Sequence, residues 1–282
     1  MLVCLIWALN VVVGRIVLAT MAVPPFCYAA ARFVLVAAVL SPLLLPLPEQ
    51  VGRIAVAGLL LGAAHFGLLF LGLSAATPSS AAIVLQLGIP LTALLSVAFL
   101  GERMSALRIA GTAIAFAGVV LMIWSPTEAE ASLGLVAIAG SAAALAVGSI
   151  LLKRLRPIAP LRLQAWVALV SFGPLAAVSA LVETGQWSSA LHGGWLFLAA
   201  LGFSVLIVTV WAHTAFFGLL QKYDASLVSP LTLAMPIMTI ALGVLITGDQ
   251  LGPRALVGSA LGLAGVAMVI RGGSRRPAAA AR

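Results

Sequence analysis

Acidic residues are scarce in this chain, and charged residues of either sign are few. Only seven Asp or Glu residues accompany fifteen Lys or Arg residues, and charged side chains make up 8% of the 282 residues. Hydrophobic residues make up 63%, and a helix of roughly 20 apolar residues crosses a bilayer. A soluble domain cannot bury so much apolar surface, so the composition predicts an all-α integral membrane protein in a lipid bilayer.

Several kinds of chemical site are also missing from the sequence. The two cysteines, Cys4 and Cys27, lack the spacing of a zinc site or a disulfide framework. No glycine-rich phosphate loop or His-Glu metal motif stands in a usable context. We therefore expect no enzyme activity, no metal and no cofactor. The net charge of +8 comes from residues between apolar stretches, so we expect no nucleic-acid partner.

Apolar stretches of about one bilayer thickness fill nearly all of the chain, and prolines mark the connections between them. The ten predicted transmembrane helices are approximately 2–20, 25–45, 52–73, 77–99, 105–124, 133–152, 161–182, 194–220, 225–247 and 253–271.

Lysine and arginine residues predict the orientation of these helices. With a cytoplasmic N-terminus, twelve basic residues fall in cytoplasmic connections or the tail, and only Arg254 falls in an external connection. Cytoplasmic loops of membrane proteins are enriched in Lys and Arg. Both termini are therefore predicted to be cytoplasmic, and the expected location is a bacterial inner membrane crossed many times.

The second half of the chain repeats the first at an offset of 146 to 147 residues. The matched segments are Phe70-Leu71-Gly72-Leu73 with Phe216-Phe217-Gly218-Leu219, Leu85 to Pro90 with Leu231 to Pro236, Gly101-Glu102 with Gly248-Asp249, and Gly111 and Gly118 with Gly258 and Gly265. Each repeat holds five predicted helices, and an odd number makes the second repeat inverted. The predicted fold is ten transmembrane helices in two inverted five-helix repeats.

The two predicted repeats span 1–124 and 133–271, a cytoplasmic tail spans 272–282, and together they form one transport domain. Inverted repeats are a recurrent plan of secondary transporters, which hold substrate near the midplane between the halves. A duplicated scaffold or receptor-like bundle is the alternative.

These segments resemble the EamA-type proteins of the drug/metabolite transporter superfamily over essentially the whole chain. The motifs that carry the resemblance are Trp7, Asn10 and Arg15 in the first helix, Arg32-Phe33 in the second, and the turn Gly101-Glu102-Arg103 followed by Gly111 and Gly118. The second half departs from the pattern, since its first helix lacks the Trp-x-x-Asn opening and its turn has Asp249 in place of Glu.

Within the family, the chain looks most like the YddG-type exporters of aromatic and other amino acids. The resemblance implies an alternating-access exporter of amino acids, aromatic and bulky neutral ones first. An exporter of another small neutral metabolite is the first alternative, and a non-transporting membrane sensor or lipid binder is the second.

Polar and aromatic residues within the predicted helices are the candidate substrate-binding residues, because polar groups in a membrane span need a partner or a wet cavity. They are Trp7, Asn10, His65, Gln86, Pro90, Trp166, Thr209, His213, Ser229, Thr232 and Pro236. For Asn10 and the two histidines, a hydrogen bond to a neighbouring helix is the alternative. For Trp166, the alternative is core packing. Pro90 and Pro236 free backbone carbonyls at matched positions, and two such broken helices point to a binding site.

Arg32 lies deep enough in its helix to need a partner, and it is a candidate for attracting a substrate carboxylate. Arg15 is nearer the membrane surface, where its side chain is expected to extend towards the headgroups. Glu102 is expected to cap the next helix and to pair with Arg103 or Arg108.

No Asp or Glu falls in the middle of a predicted helix, which disfavours a cationic-drug antiporter. No dense basic pocket is evident either, which disfavours sugar phosphates. The expected partners are a neutral or zwitterionic small molecule and the lipid bilayer. Gly111, Gly118, Gly258, Gly262 and Gly265 predict close helix packing, either within the bundle or between subunits of a weak dimer. The protein is therefore expected to be a monomer or a weak dimer.

Overall fold

The computed structural model of this protein describes residues 1–123, 129–216 and 232–273, and in these residues it contains helices but no β-strand. The helices α1 to α10 are Leu2–Thr20, Pro25–Val39, Val51–Ala75, Pro78–Leu100, Ala106–Ile123, Ala129–Lys153, Pro160–Val182, Gln186–Phe216, Ala234–Thr247 and Pro253–Gly273. Eight of them are long and apolar enough to cross a membrane, whereas α2 and the described part of α9 are shorter.

The second helix ends earlier than its apolar run. Helix α2 stops at Val39 instead of near residue 45, and a single 3₁₀ turn, Ser41–Leu44, follows it. Pro42 has no N–H to donate to the Ala38 carbonyl, and the Ser41 hydroxyl donates to that carbonyl at 2.8 Å. The apolar residues beyond Val39 therefore lie outside α2.

The eighth helix begins earlier than predicted. The residues from Gln186 onward are helical, although the sequence suggested a connection over 183–193. Gly194 interrupts the helix with φ 52° and ψ −137°, a conformation that glycine adopts without a Cβ clash. Gly194 thus marks a break inside α8 and not the start of the helix.

Helix packing follows the symmetry of two repeats. Three contacts, α3 with α6, α4 with α6 and α3 with α7, have their counterparts in α8 with α1, α9 with α1 and α8 with α2. The matched helices α2 and α7, α4 and α9, and α5 and α10 also pack directly on each other. This pattern is expected of two five-helix repeats related by a pseudo-two-fold axis.

The α5–α10 contact is built on glycine. A Cβ atom added to Gly118 would lie 2.5 Å from the Gly262 nitrogen and 2.6 Å from the Gly258 carbonyl oxygen. A Cβ on Gly111 would lie 2.7 Å from the Gly265 carbonyl oxygen. The two backbones therefore approach directly, as small residues allow in membrane helices. Of the two predicted roles for these glycines, the structure shows packing within the bundle.

The prolines of α4 and α9 break their helices in the same way. Pro90 has no N–H for the Gln86 carbonyl, and the Ile89 N–H donates to that carbonyl at 3.1 Å instead. In the other repeat, the Met235 N–H donates to the Thr232 carbonyl at 3.1 Å, one residue before Pro236. The sequence match between these segments therefore extends to their backbone hydrogen bonding.

Candidate substrate site

Arg32 lies in the middle of α2 with its side chain completely buried. Its Nε and Nη2 atoms donate to Thr209 Oγ1 on α8 at 3.3 and 2.8 Å. Its guanidinium carbon lies 4.3 Å from the centre of the Phe66 ring on α3, a cation–π distance. The third nitrogen, Nη1, has no hydrogen-bond partner. A buried cation with an unused donor is a binding point for an anion.

A short chain of hydrogen bonds continues from Thr209 to α1. The Thr209 hydroxyl donates to the Ser204 carbonyl at 2.8 Å, and the Ser204 hydroxyl donates to Asn10 Oδ1 at 3.1 Å. The Tyr28 hydroxyl lies 2.9 Å from Ser204 Oγ. Three predicted residues, Asn10, Arg32 and Thr209, are thus joined across α1, α2 and α8.

Both candidate histidines lie near Arg32, and each directly follows a π-helical segment. These segments are Leu60–Ala64 in α3 and Phe203–Ala212 in α8, and π-helical turns are often found at functional sites. Both histidines, His65 and His213, therefore lie within electrostatic range of the guanidinium group.

Each histidine uses Nδ1 in a bond to neighbouring backbone or hydroxyl groups. His65 Nδ1 lies 2.8 Å from Ser141 Oγ and 3.2 Å from the Ser141 carbonyl oxygen on α6. His213 Nδ1 lies 2.7 Å from the Val208 carbonyl oxygen. Because a carbonyl only accepts, Nδ1 of His213 is the donor. His65 thus links α3 to α6, whereas His213 bonds within α8.

Trp7 belongs to an aromatic group at the contact between α1 and α8. Its ring centre lies 5.3 Å from that of His213 and 4.9 Å from that of Phe216. Its indole nitrogen is buried and has no hydrogen-bond partner. The predicted neighbours Trp7 and Asn10 therefore both face α8.

The residues of α4 and α9 form a second part of the candidate site. Gln86 is buried at the break in α4, and its Nε2 has no hydrogen-bond partner. Pro90 and Pro236 are buried, and Thr232 lies at the matching break. Both helices pack on α1, which brings them towards the helix that carries Trp7 and Asn10. Ser229 lies outside the described residues.

Trp166 lies in α7, the helix that packs on α2 and α3. Its side chain belongs to the main hydrophobic core, and its indole nitrogen is buried without a hydrogen-bond partner. The core-packing role considered from the sequence thus accounts for its ring but not for its N–H group.

Sequence reasoning missed Tyr28, Phe66, Ser141 and Ser204. Tyr28, Ser141 and Ser204 are 0% exposed. Ser141 and Ser204 contact the predicted residues His65 and Asn10, and Tyr28 contacts Ser204. The available signal was helical spacing, because Tyr28 precedes Arg32 by one turn and shares its helical face. A hydroxyl or ring in an apolar run gives little sign of its partner on another helix.

The structure corrects the expected roles of two charged residues. Arg15 does not extend to the headgroups, because its Nη1 donates to the Leu73 and Ser74 carbonyls at the end of α3, at 2.8 and 2.6 Å. Glu102 pairs with Lys153 on α6 at 3.7 Å, instead of Arg103 or Arg108. In both cases the partner lies on a helix that is distant in sequence.

Two other acidic residues bind the starts of proline-initiated helices. Glu183 accepts from the Phe26 and Cys27 N–H groups of α2 at 2.7 and 2.9 Å. Asp249 accepts from the Ser79 N–H of α4 at 2.9 Å and from the Ser79 hydroxyl at 2.5 Å. Carboxylates at helix N-termini satisfy free N–H groups and the helix dipole. These two carboxylates are therefore already occupied.

An apolar cavity of about 290 Å³ lies between α1 and α8 and is lined by Val13, Ile16, Val17, Met21, Leu196, Ala199, Ala200 and Phe203. None of the predicted site residues lines it. Arg32, Asn10 and Thr209 instead lie enclosed between the helices.

Comparison with known proteins agrees with this architecture. The EamA-like transporter family matches the chain twice, at residues 1–124 and 132–271. A solved crystal structure of a protein superposes with a TM-score of 0.60 at 22% identity, covering 95% of this chain and 97% of the other. That likeness supports the fold alone.

Curated relatives include two bacterial transporters and one archaeal protein. The chain is 28% identical to the "probable amino-acid metabolite efflux pump" of Salmonella typhimurium over 280 residues, covering 94% of this chain and 91% of the relative. The protein of the same name in Escherichia coli is 28% identical over 283 residues, with the same coverage. An "uncharacterized transporter" of Archaeoglobus fulgidus is 29% identical over 194 residues, covering 68% and 67%.

Proposed function

The chain belongs to the EamA-like transporter family, and from this premise we propose that it exports amino acids and related carboxylates with bulky apolar or aromatic bodies. Two relatives at 28% identity carry the name of probable amino-acid metabolite efflux pumps, which supports both the substrate class and the direction. Transport proceeds by alternating access of the repeats around a site between them.

Unsatisfied donors are the observation that carries this proposal. Among the described residues, four predicted site residues have a buried N–H group without an acceptor: Trp7, Arg32, Gln86 and Trp166. Three further unpartnered atoms belong to Arg108, Thr112 and Arg162, outside the candidate site. A buried donor without a partner costs about 1–3 kcal/mol. A solute that brings strong acceptors relieves that cost, and a carboxylate brings two.

The rings around Arg32 suit an apolar body on the solute. Phe66 lies under the guanidinium group and packs edge-on against Phe33, with ring centres 5.4 Å apart. Tyr28 packs against Phe70 at 4.8 Å. Aromatic faces and edges attract other rings and alkyl groups. An amino acid with an aromatic or branched side chain fits such surroundings better than a sugar does.

The proposal also includes the orientation and the assembly. Both termini lie in the cytoplasm of a bacterial inner membrane, the two repeats act as one transport domain, and the functional unit is a monomer. The close α5–α10 packing within the bundle supports the last point, because it occupies the glycine surface that a dimer contact would need.

Counterflow in proteoliposomes tests the function. Purified protein with internal unlabelled phenylalanine is expected to accumulate external labelled phenylalanine, but not labelled glucose or tetraphenylphosphonium. Arg32→Gln is expected to lower this flux at least about ten-fold, because it removes the charge that attracts the carboxylate. Arg53→Gln, an exposed arginine at the start of α3, is the matched control and is expected to leave the flux unchanged.

Size-exclusion profiles of both variants separate loss of function from loss of folding. Exchange of glucose or the cation without exchange of any amino acid contradicts the substrate class. Absence of flux for every solute contradicts transport itself and favours a sensor or lipid binder.

A further inference from the structure

The charge balance around Arg32 narrows the substrate class, and this inference rests on the proposed transport of carboxylated solutes. Four acidic side chains are described by the structure, and all four are held by other groups. Glu49 and Glu102 pair with basic side chains, whereas Glu183 and Asp249 accept hydrogen bonds at helix starts. None of them contacts Arg32, so within the described residues the site carries a positive charge without a counter-charge.

Among the described residues, the groups in contact with Arg32 are neutral. They are the hydroxyl of Thr209 and the ring of Phe66, and the phenol of Tyr28 lies within electrostatic range. A cation buried in a membrane protein usually pairs with an opposite charge or with backbone carbonyls, and the hydrogen bonds of Arg32 in the described structure go only to the Thr209 hydroxyl. A solute with a net charge of −1 supplies that charge, whereas a zwitterion brings a second positive charge into the same enclosed space.

Acceptors for a solute ammonium group near Arg32 are uncharged in the described part of the molecule. Asn10 Oδ1 already accepts one hydrogen bond from Ser204, and Thr209 Oγ1 accepts from Arg32. Nε2 of neutral His213 is a further uncharged acceptor, because its Nδ1 donates to a backbone carbonyl. The remaining acceptors are uncharged, and the guanidinium group repels a nearby ammonium group in a low-dielectric interior. The described surroundings therefore stabilise a carboxylate through Arg32 and contain no negative charge that would stabilise an ammonium group.

We infer that the site prefers monocarboxylates that lack a free ammonium group: 2-oxo acids, N-acylated amino acids and aryl-substituted alkanoic acids. Free amino acids are weaker substrates of the same site. The carboxylate pairs with Arg32 through Nη1, and the apolar body packs among the rings of α1, α2, α3 and α8.

A series of four compounds with one phenylethyl body tests this inference by binding. 3-Phenylpropionate carries the carboxylate alone, N-acetylphenylalanine carries it with a blocked amine, phenylalanine is the zwitterion, and phenethylamine carries the ammonium alone. Calorimetric titration of the protein in nanodiscs gives each Kd, and empty nanodiscs give the contribution of lipid partitioning. We expect the first two to bind at least about ten-fold more tightly than phenylalanine, and phenethylamine not to bind.

The Arg32→Gln variant is expected to lose this preference, with the Kd ratio of phenylalanine to 3-phenylpropionate falling towards one, while Arg53→Gln retains it. The wild-type series decides the matter even if Arg32→Gln does not fold. Phenylalanine binding as tightly as 3-phenylpropionate overturns the inference, yet it leaves the proposed amino-acid export intact. Binding of none of the four overturns both.

Discussion

Arg15 and Arg32 are one helix apart in sequence, yet their guanidinium groups meet different surroundings. Arg15 donates to two carbonyls at the end of α3. These carbonyls need donors from outside the helix, because a helix leaves its last carbonyls without an intrahelical partner. Arg32 donates to one hydroxyl and has a buried nitrogen without a partner. At the scale of single residues, the first arginine closes a helix end, and the second retains binding capacity for a solute.

This contrast predicts that replacing each arginine by glutamine affects a different property, stability for Arg15 and ligand binding for Arg32. Arg15→Gln is expected to lower the free energy of unfolding by about 1–3 kcal/mol, because it removes charged hydrogen bonds to the α3 carbonyls. It should leave the Kd of 3-phenylpropionate nearly unchanged. Arg32→Gln should weaken that binding by an order of magnitude or more. Thermal unfolding and calorimetry on the same preparations measure the two quantities, and equal losses of affinity in both variants would contradict the division of roles.

At the scale of helices, α5 and α10 are the helices of the two repeats whose backbones approach most closely at the described glycines. Gly118 faces the backbone of α10 directly, and a Cβ there would come within 2.6 Å of the Gly258 carbonyl oxygen. Backbone atoms cannot move aside as the end of a flexible side chain can. The two helices must therefore separate to admit even one methyl group.

Gly118→Ala is accordingly expected to destabilise the protein, by about 1–3 kcal/mol as in other overpacked contacts. Gly202→Ala in α8 is the matched control, because Gly202 has helical backbone angles and a Cβ there meets nothing within 4 Å. Replacing glycine by alanine inside a helix is otherwise favourable, so the control should be neutral or slightly stabilising. Thermal unfolding in detergent measures both, and a stable Gly118→Ala variant would mean that α5 and α10 are not in such close contact.

Some features of these helices could be predicted from sequence and others could not. The breaks at Pro90 and Pro236 follow from one missing N–H in each helix, a local cause that the sequence displays. The carboxylates of Glu183 and Asp249 accept from N–H groups at the starts of α2 and α4. These N–H groups are far away in the sequence, and no local pattern indicates the pairing. Both acids lie between predicted helices, where the sequence alone gives no sign of these partners.

At the scale of the whole molecule, the repeat was visible because its matched segments keep their spacing, and the helix contacts of the two halves correspond. The assembly of the candidate site was less visible. Asn10, Arg32 and Thr209 could be selected because each is a polar group in an apolar span. Their connection through Ser204 depends on how α8 packs against α1 and α2, which no periodicity in one helix determines.

The orientation of the whole molecule can be tested at the two ends of α7. Thr184 is exposed just beyond its end, beside Glu183, and Ala159 is exposed just before its start. The basic residues Lys153, Arg154, Arg156 and Arg162 surround the Ala159 end, and such clusters remain on the cytoplasmic side. In a background without Cys4 and Cys27, a membrane-impermeant thiol reagent should label Thr184→Cys in intact cells. It should label Ala159→Cys only after the cells are permeabilised. The reverse pattern would place the N-terminus outside, and equal labelling of both in intact cells would mean that α7 does not cross the membrane, which would remove the basis for two inverted repeats.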